Sequence, residues 1–174
     1  MDNKLRALLH YQLNKNKEAL KQLVLEGKLT LFDYQDITKD MWEDVPIEAV
    51  KQSLYQKIDN YKHEKSKWFE YDGHMQRYLE FDRITMRDCQ EALQDGHMTS
   101  VRWKYPDAYV DVTDGTYFFN MRLVGAQNLT MCFEVEKMMR NEIDVIESVE
   151  ELVAYDYQEK FDGYLNDLHT MTVE

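Results

Sequence analysis

The stretch from Gly115 to Val135, GTYFFNMRLVGAQNLTMCFEV, decides the fold. Tyr117, Phe119, Met121 and Leu123 fall on alternate positions, the period of a half-buried strand. Gly125-Ala-Gln-Asn128 then reads as a turn, and Leu129, Met131, Phe133 and Val135 alternate again. Working outward, Asp114-Gly115 is a strong hairpin signal, and Ala108 to Val112 is a short strand before it. Pro106-Asp107 turns the chain back onto a first strand, with His97, Thr99, Val101, Trp103 and Tyr105 on one face. Met98, Ser100, Arg102 and Lys104 lie on the other. Turns this short predict a four-stranded antiparallel β-meander. Residues 136–146 fit a strand extension or a helix equally.

Helical spacing governs the N-terminal half. Leu5, Leu9, Leu13, Leu20 and Leu23 predict one helix over 3–26, capped by Gly27. Thr30-Leu-Phe-Asp33 has capping-box spacing and opens a helix over about 31–43. After Asp44-Val45-Pro46, the stripe Ile47, Val50, Leu54, Ile58 and Tyr61 predicts a helix through Trp68 to about Tyr71. Gly73 ends it, and Met75, Tyr78 and Leu79 suggest another helical stretch. Thr85-Met-Arg-Asp88 opens a short helix ending near Gly96. At the other end, Ser148-Val-Glu-Glu151 is a capping box. It opens a helix with Val149, Leu152, Val153, Tyr157, Phe161, Tyr164 and Leu168 on its apolar face, its last five residues fraying. Gly163 is positioned to bend or end that helix early. The expected class is α+β: a helical region over 1–80 and an α+β region over 81–174, forming one compact unit. The acidic C-terminal helix is expected to pack on the sheet.

A chain of 174 residues with 44% hydrophobic residues can bury a core without disulfide or metal staples. Cys89 and Cys132 are far apart, outside any CxxC, and read as buried reduced thiols. Met1-Asp2-Asn3-Lys4 lacks a secretory n-region, and no apolar run approaches the ~18 residues of a spanning helix. A cytoplasmic location is the expectation.

The charge is unevenly spread. Residues 1–67 carry a net of +1, residues 68–140 a net of −4 and residues 141–174 a net of −9, summing to −12. The last segment holds ten carboxylates and one cation, Lys160. Direct nucleic-acid binding wants a basic stripe, which is missing. The helix–turn–helix spacing over 17–43 carries Asp33, Asp36 and Asp40 where a recognition helix presents basic or amide side chains.

Catalytic signatures are absent. Ser53, Ser66, Ser100 and Ser148 have no nucleophile setting, and there is no P-loop, GxGxxG, HExxH or His-x-His. One repeat stands out: Asp72-Gly-His-Met75 and Asp95-Gly-His-Met98. Asp72, His74, Asp95 and His97 could make a mixed metal site if the copies converge. The simpler reading places each glycine in a left-handed helix cap. No cofactor and no metal are expected.

The acidic segment has the best physical link to function. Carboxylates four apart on a helix lie ~6 Å apart along its axis, as Glu147 and Glu151 would. One DNA strand presents a phosphate every ~3.4 Å, so the match to a phosphate array is loose. Arg77, Arg83, Arg87 or Arg102 could balance this charge internally. Twelve Tyr and ten Met also suggest exposed interface residues, Tyr155 and Tyr109 foremost. In overall character, small, acidic, Tyr- and Met-rich and lacking catalytic residues, the chain resembles the inhibitors that phages and mobile elements make against bacterial nucleases. The expectation is a non-enzymatic binding protein and DNA mimic that occupies the basic surface of a CRISPR or restriction nuclease. Glu147, Glu150, Glu151, Asp156 and Glu159 would supply charge, and Tyr155 an anchor. The alternatives are a helical adaptor or transcription regulator pairing through Leu5, Leu9, Leu13 and Leu20, and a metal-dependent enzyme using His74 and His97.

Overall fold

The computed structural model describes residues 3–171. Along the chain these form α1 (Asn3–Asn14), α2 (Lys17–Leu25), α3 (Leu31–Thr38), α4 (Ile47–Lys65), β1 (Trp68–Tyr71) and β2 (His74–Arg77). They continue as α5 (Glu80–Gln94), β3 (Val101–Lys104), β4 (Tyr109–Val112), α6 (Gly115–Asp144), α7 (Val149–Val153) and α8 (Tyr157–Met171). The class is α+β, with mixed helix and two small antiparallel sheets. Contacts divide the chain into two units, one of residues 3–60 with 136–164, the other of 61–135 with 165–171. Helices α4, α6 and α8 contribute residues to both. Among the described residues no helix is long and apolar enough to cross a membrane.

The first unit contains no strand among its described residues. Its expected first helix is two: Lys15 takes a left-handed conformation (φ 52°) and the Asn16 side chain accepts the Ala19 amide at 3.1 Å, ending α1 and starting α2. Gly27 (φ 67°) follows α2 in the expected left-handed cap. The Thr30–Asp33 capping box forms: Thr30 Oγ1 accepts the Asp33 amide at 3.0 Å, and Asp33 Oδ2 accepts the Thr30 amide at 3.1 Å. Helix α3 stops at Thr38 rather than 43, because Lys39 turns left-handed (φ 60°). The α4 stripe is buried as its spacing predicts, with Val50, Leu54 and Ile58 fully enclosed. Each contributes about 1.5–3 kcal/mol by leaving water.

The second unit holds both hairpins. Helix α4 ends at Lys65: Trp68–Tyr71, expected to continue it, form β1, and His74–Arg77, expected in a further helical stretch, form β2, with Trp68 opposite Arg77 and Tyr71 opposite His74. Asp72 (φ 53°) and Gly73 (φ 75°) both have positive φ, the type I′ turn that matches strand twist. Helix α5 begins five residues before Thr85. Asp82 Oδ2 accepts the Leu79 amide at 2.9 Å, and the carboxylate accepts from Arg77 Nε and Nη2, each at 2.9 Å. Strands β3 and β4 pair antiparallel as expected, Val101 opposite Val112, with Tyr105 buried and Arg102 and Lys104 outward, but β3 is shorter than the expected 97–105 because residues 97–100 form no strand.

The four-stranded meander does not form: residues 115–144 are one helix, and the sheets have two strands each. Its buried positions are Gly115, Phe118, Met121, Gly125, Asn128, Cys132, Val135, Met139 and Ile143, three and four apart, a helical repeat. Asp114 Oδ1 accepts the Thr116 amide at 2.8 Å, so the supposed hairpin dipeptide starts α6. The supposed second turn serves two contacts. A methyl on Gly125 would lie 2.4 Å from the Tyr78 ring, and Asn128 donates to the Trp68 carbonyl at 3.1 Å. Cys132 is fully buried, and desolvation pushes its thiol up to about 11. Phe69, Met86, Tyr105, Val112, Phe118 and Met121 form the core here.

The expected C-terminal helix is broken. Ser148 Oγ accepts the Glu151 amide at 3.3 Å and starts α7, which lasts only five residues. Asp156 Oδ1 accepts the amides of Gln158 and Glu159 at 3.2 and 3.1 Å and starts α8. Glu147 to Glu159 belong to the unit that holds no strand among its described residues. Gly163 lies inside α8 without ending it. Thr170 and Met171 are helical, and the rest of the expected frayed end lies outside the described residues.

Candidate functional site

The acidic face of the first unit is built from the end of α6, from α7 and from the start of α8. Glu142, on α6, is its fixed point. The Tyr155 hydroxyl donates to its carboxylate at 2.8 Å, Lys160 Nζ at 3.0 Å, and the Tyr164 hydroxyl makes a third contact. Burial works to raise the Glu142 pKa, but the donors Tyr164, Lys160 and Tyr155 outweigh it and hold the carboxyl below its ordinary value. Burial, and then the Glu142 carboxylate, push the Tyr155 hydroxyl well above the usual phenol range. Nearby, Lys51 donates to the Asp144 carbonyl at 2.8 Å and the Tyr55 hydroxyl to the Asp144 carboxylate.

Outside this lock, Glu147, Glu150, Glu151, Asp156 and Glu159 are all exposed. None makes an ion pair among the described residues. Two have local duties: Glu150 accepts the Ser148 hydroxyl at 2.9 Å, and Asp156 caps α8. The break at Ala154 to Asp156 separates Glu159 from the Glu147–Glu151 row. No single row of carboxylates runs along one helix. Tyr155 is half-buried and committed to Glu142, so the expected anchor is occupied within the chain.

The arginines considered as internal counter-charges are engaged in the second unit. Arg77 pairs with Asp82, Arg87 with Asp88 and Glu91, and the guanidinium groups of Arg83 and Arg102 lie over Tyr78 and Tyr109. Within the acidic segment Lys160 pairs with Glu142.

A groove accompanies the acidic face in the same unit. Leu31, Met41, Trp42, Val45, Val149 and Val153 line it, with Glu43 and Glu150 among its walls. Glu43 and Asp44 are exposed and, like the five carboxylates of α7 and α8, make no ion pair among the described residues. Met41 is 71% exposed. The Trp42 ring packs on Tyr34 at 5.8 Å, and Lys21 lies over its face at 5.3 Å. The run Met41-Trp-Glu-Asp44 was the available signal for this feature. It is hidden when 31–43 is read as helix.

The two Asp-Gly-His-Met copies adopt different structures. Gly96 (φ 73°) follows α5, and the Met98 amide donates to the Ala92 carbonyl at 3.0 Å, the expected helix cap. The first copy is a hairpin turn instead. The His74 ring stacks on Tyr105 at 4.8 Å, with Nδ1 3.3 Å from Asp107. Tyr105 and Tyr117 hydroxyls meet at 2.7 Å, and Tyr117 donates to Asp72 at 3.1 Å. His97 is exposed and Asp95 caps α5. Among the described residues no three His, Cys, Asp or Glu side chains are grouped to hold a metal. No family model, curated protein or solved structure matches the chain.

Proposed function

We propose that this chain is a non-enzymatic binding protein that occupies the basic, nucleic-acid-binding surface of a partner, such as a CRISPR or restriction nuclease. The observation that carries the reading is the set Glu147, Glu150, Glu151, Asp156 and Glu159, exposed and without an ion pair among the described residues. Five like charges without an ion-pair partner repel one another and oppose folding. Facing a cationic surface, the same charges speed encounter and compete with phosphates for the same lysines and arginines. Neither DNA nor a membrane fits such a face.

The test is capture from bacterial lysate on the immobilised chain, beside a variant carrying E147Q, E150Q, E151Q, D156N and E159Q. Asparagine at 156 keeps the helix cap. A DNA-handling protein retained by the wild type at low salt, and lost both at high salt and on the variant, is the expected result. Equal retention by the variant overturns the electrostatic account.

One observation favours a second reading, self-association or an adaptor role through α1. Leu5, Leu9 and Leu13 stand four apart and are 47, 46 and 83% exposed, while Leu20 is buried and takes no part. Sedimentation over a range of concentrations should show a dimer that Leu9→Lys weakens. A monomer throughout removes this reading.

A further inference from the structure

We infer that the groove of the first unit receives a bulky apolar side chain carried on a cationic helix of a partner protein. This rests on the proposed function, since it names how the partner is gripped beside the acidic face. The groove is about 390 Å³, toward the small end of ligand-sized sites at roughly 300–1,000 Å³. Its walls are Met41, Trp42, Val45, Val149 and Val153. Methionine adapts to the shape of what it meets, and tryptophan is the residue that most often concentrates binding energy.

Charge selects the occupant. Glu43 and Glu150 stand in the walls, Asp44 adjoins Glu43 in the chain, and Glu147 and Glu151 flank Glu150 at α7. None of these five makes an ion pair among the described residues, and Lys21, paired with Glu18, acts on Asp44 only at longer range. A neutral apolar ligand would bury the groove and leave the carboxylates unanswered. A purely polycationic segment would answer the carboxylates and leave Met41 and Trp42 in water. A helix with an apolar side chain between lysines or arginines satisfies both, the helix-in-groove mode of recognition.

The probes are two synthetic peptides of equal length and charge. One places leucines at helical spacing among lysines; the other replaces each leucine with serine. Binding is read by anisotropy of a label on the peptide and by tryptophan emission, with Trp42→Phe identifying the Trp42 signal. The leucine peptide should bind about ten-fold tighter, as burial of one large apolar side chain allows. Met41→Ser with Val153→Ser should abolish that preference and leave the serine peptide's affinity unchanged. Neither residue is part of a helix cap. Equal binding of both peptides to the wild type overturns the groove inference and leaves the acidic-face reading standing. A preference that survives the double substitution also overturns it. Binding of neither peptide overturns both.

Discussion

Glu142 shows how one carboxylate can organise an otherwise repulsive segment. Tyr155, Tyr164 and Lys160 converge on it, so the region richest in negative charge is held together through a negative centre. Its pKa is lowered in the folded chain. A lowered carboxylate pKa adds stability that is fully present above the unfolded value of about 4.3 and is lost as pH falls through the folded value. Glu142→Gln should therefore cost about 1–2 kcal/mol near neutrality, in line with hydrogen bonds to charged groups. The gap to the wild type should close below about pH 4. Urea midpoints measured across pH check this, and a gap that stays constant into acid would assign the loss to packing.

At the scale of the element, α6 carries the sharpest conflict between propensity and packing. An alanine in a helix interior is favoured over glycine by about 1 kcal/mol. At Gly125 the new methyl would meet the Tyr78 ring at 2.4 Å. That ring is tied by its hydroxyl to the Arg122 carbonyl at 3.0 Å and packs edge-on to Phe69. Overpacking of this kind costs about 1–3 kcal/mol, so Gly125→Ala should destabilise. In a Tyr78→Ala background the same change should stabilise, and a double-mutant cycle in denaturant reads the reversal. The same contact explains why α6 was not legible. Between Tyr117 and Val124 six of eight residues are apolar and the two polar ones, Asn120 and Arg122, fall on alternate positions, so a strand period fits as well as a helical one. Gly125 and Asn128 then imitate a turn, though one admits a ring and the other bonds a strand carbonyl. In the β3–β4 hairpin, Val101, Trp103 and Tyr105 alternate with Arg102 and Lys104, and there the two-residue period corresponds to a real strand. Caps were readable too, at Thr30 and Ser148, because their donors and acceptors lie within three residues.

At the scale of the whole molecule, the charge asymmetry was visible in the chain and its disposition was not. Counting residues places a net −9 in the final segment, but only tertiary structure brings Tyr155, Lys160 and Tyr164 to Glu142. The same holds for the groove, where Met41, Trp42 and Val45 meet Val149 and Val153 across more than a hundred residues of chain. Exposed carboxylates without an ion pair work against the folding balance. Cys132 carries a consequence of a different kind. With its thiol near 11 and its side chain fully enclosed, only about one molecule in a thousand would hold it as thiolate at pH 8. Alkylation of that sulfur must wait for α6 to open, so its labelling rate is a built-in clock for the breathing of the longest helix.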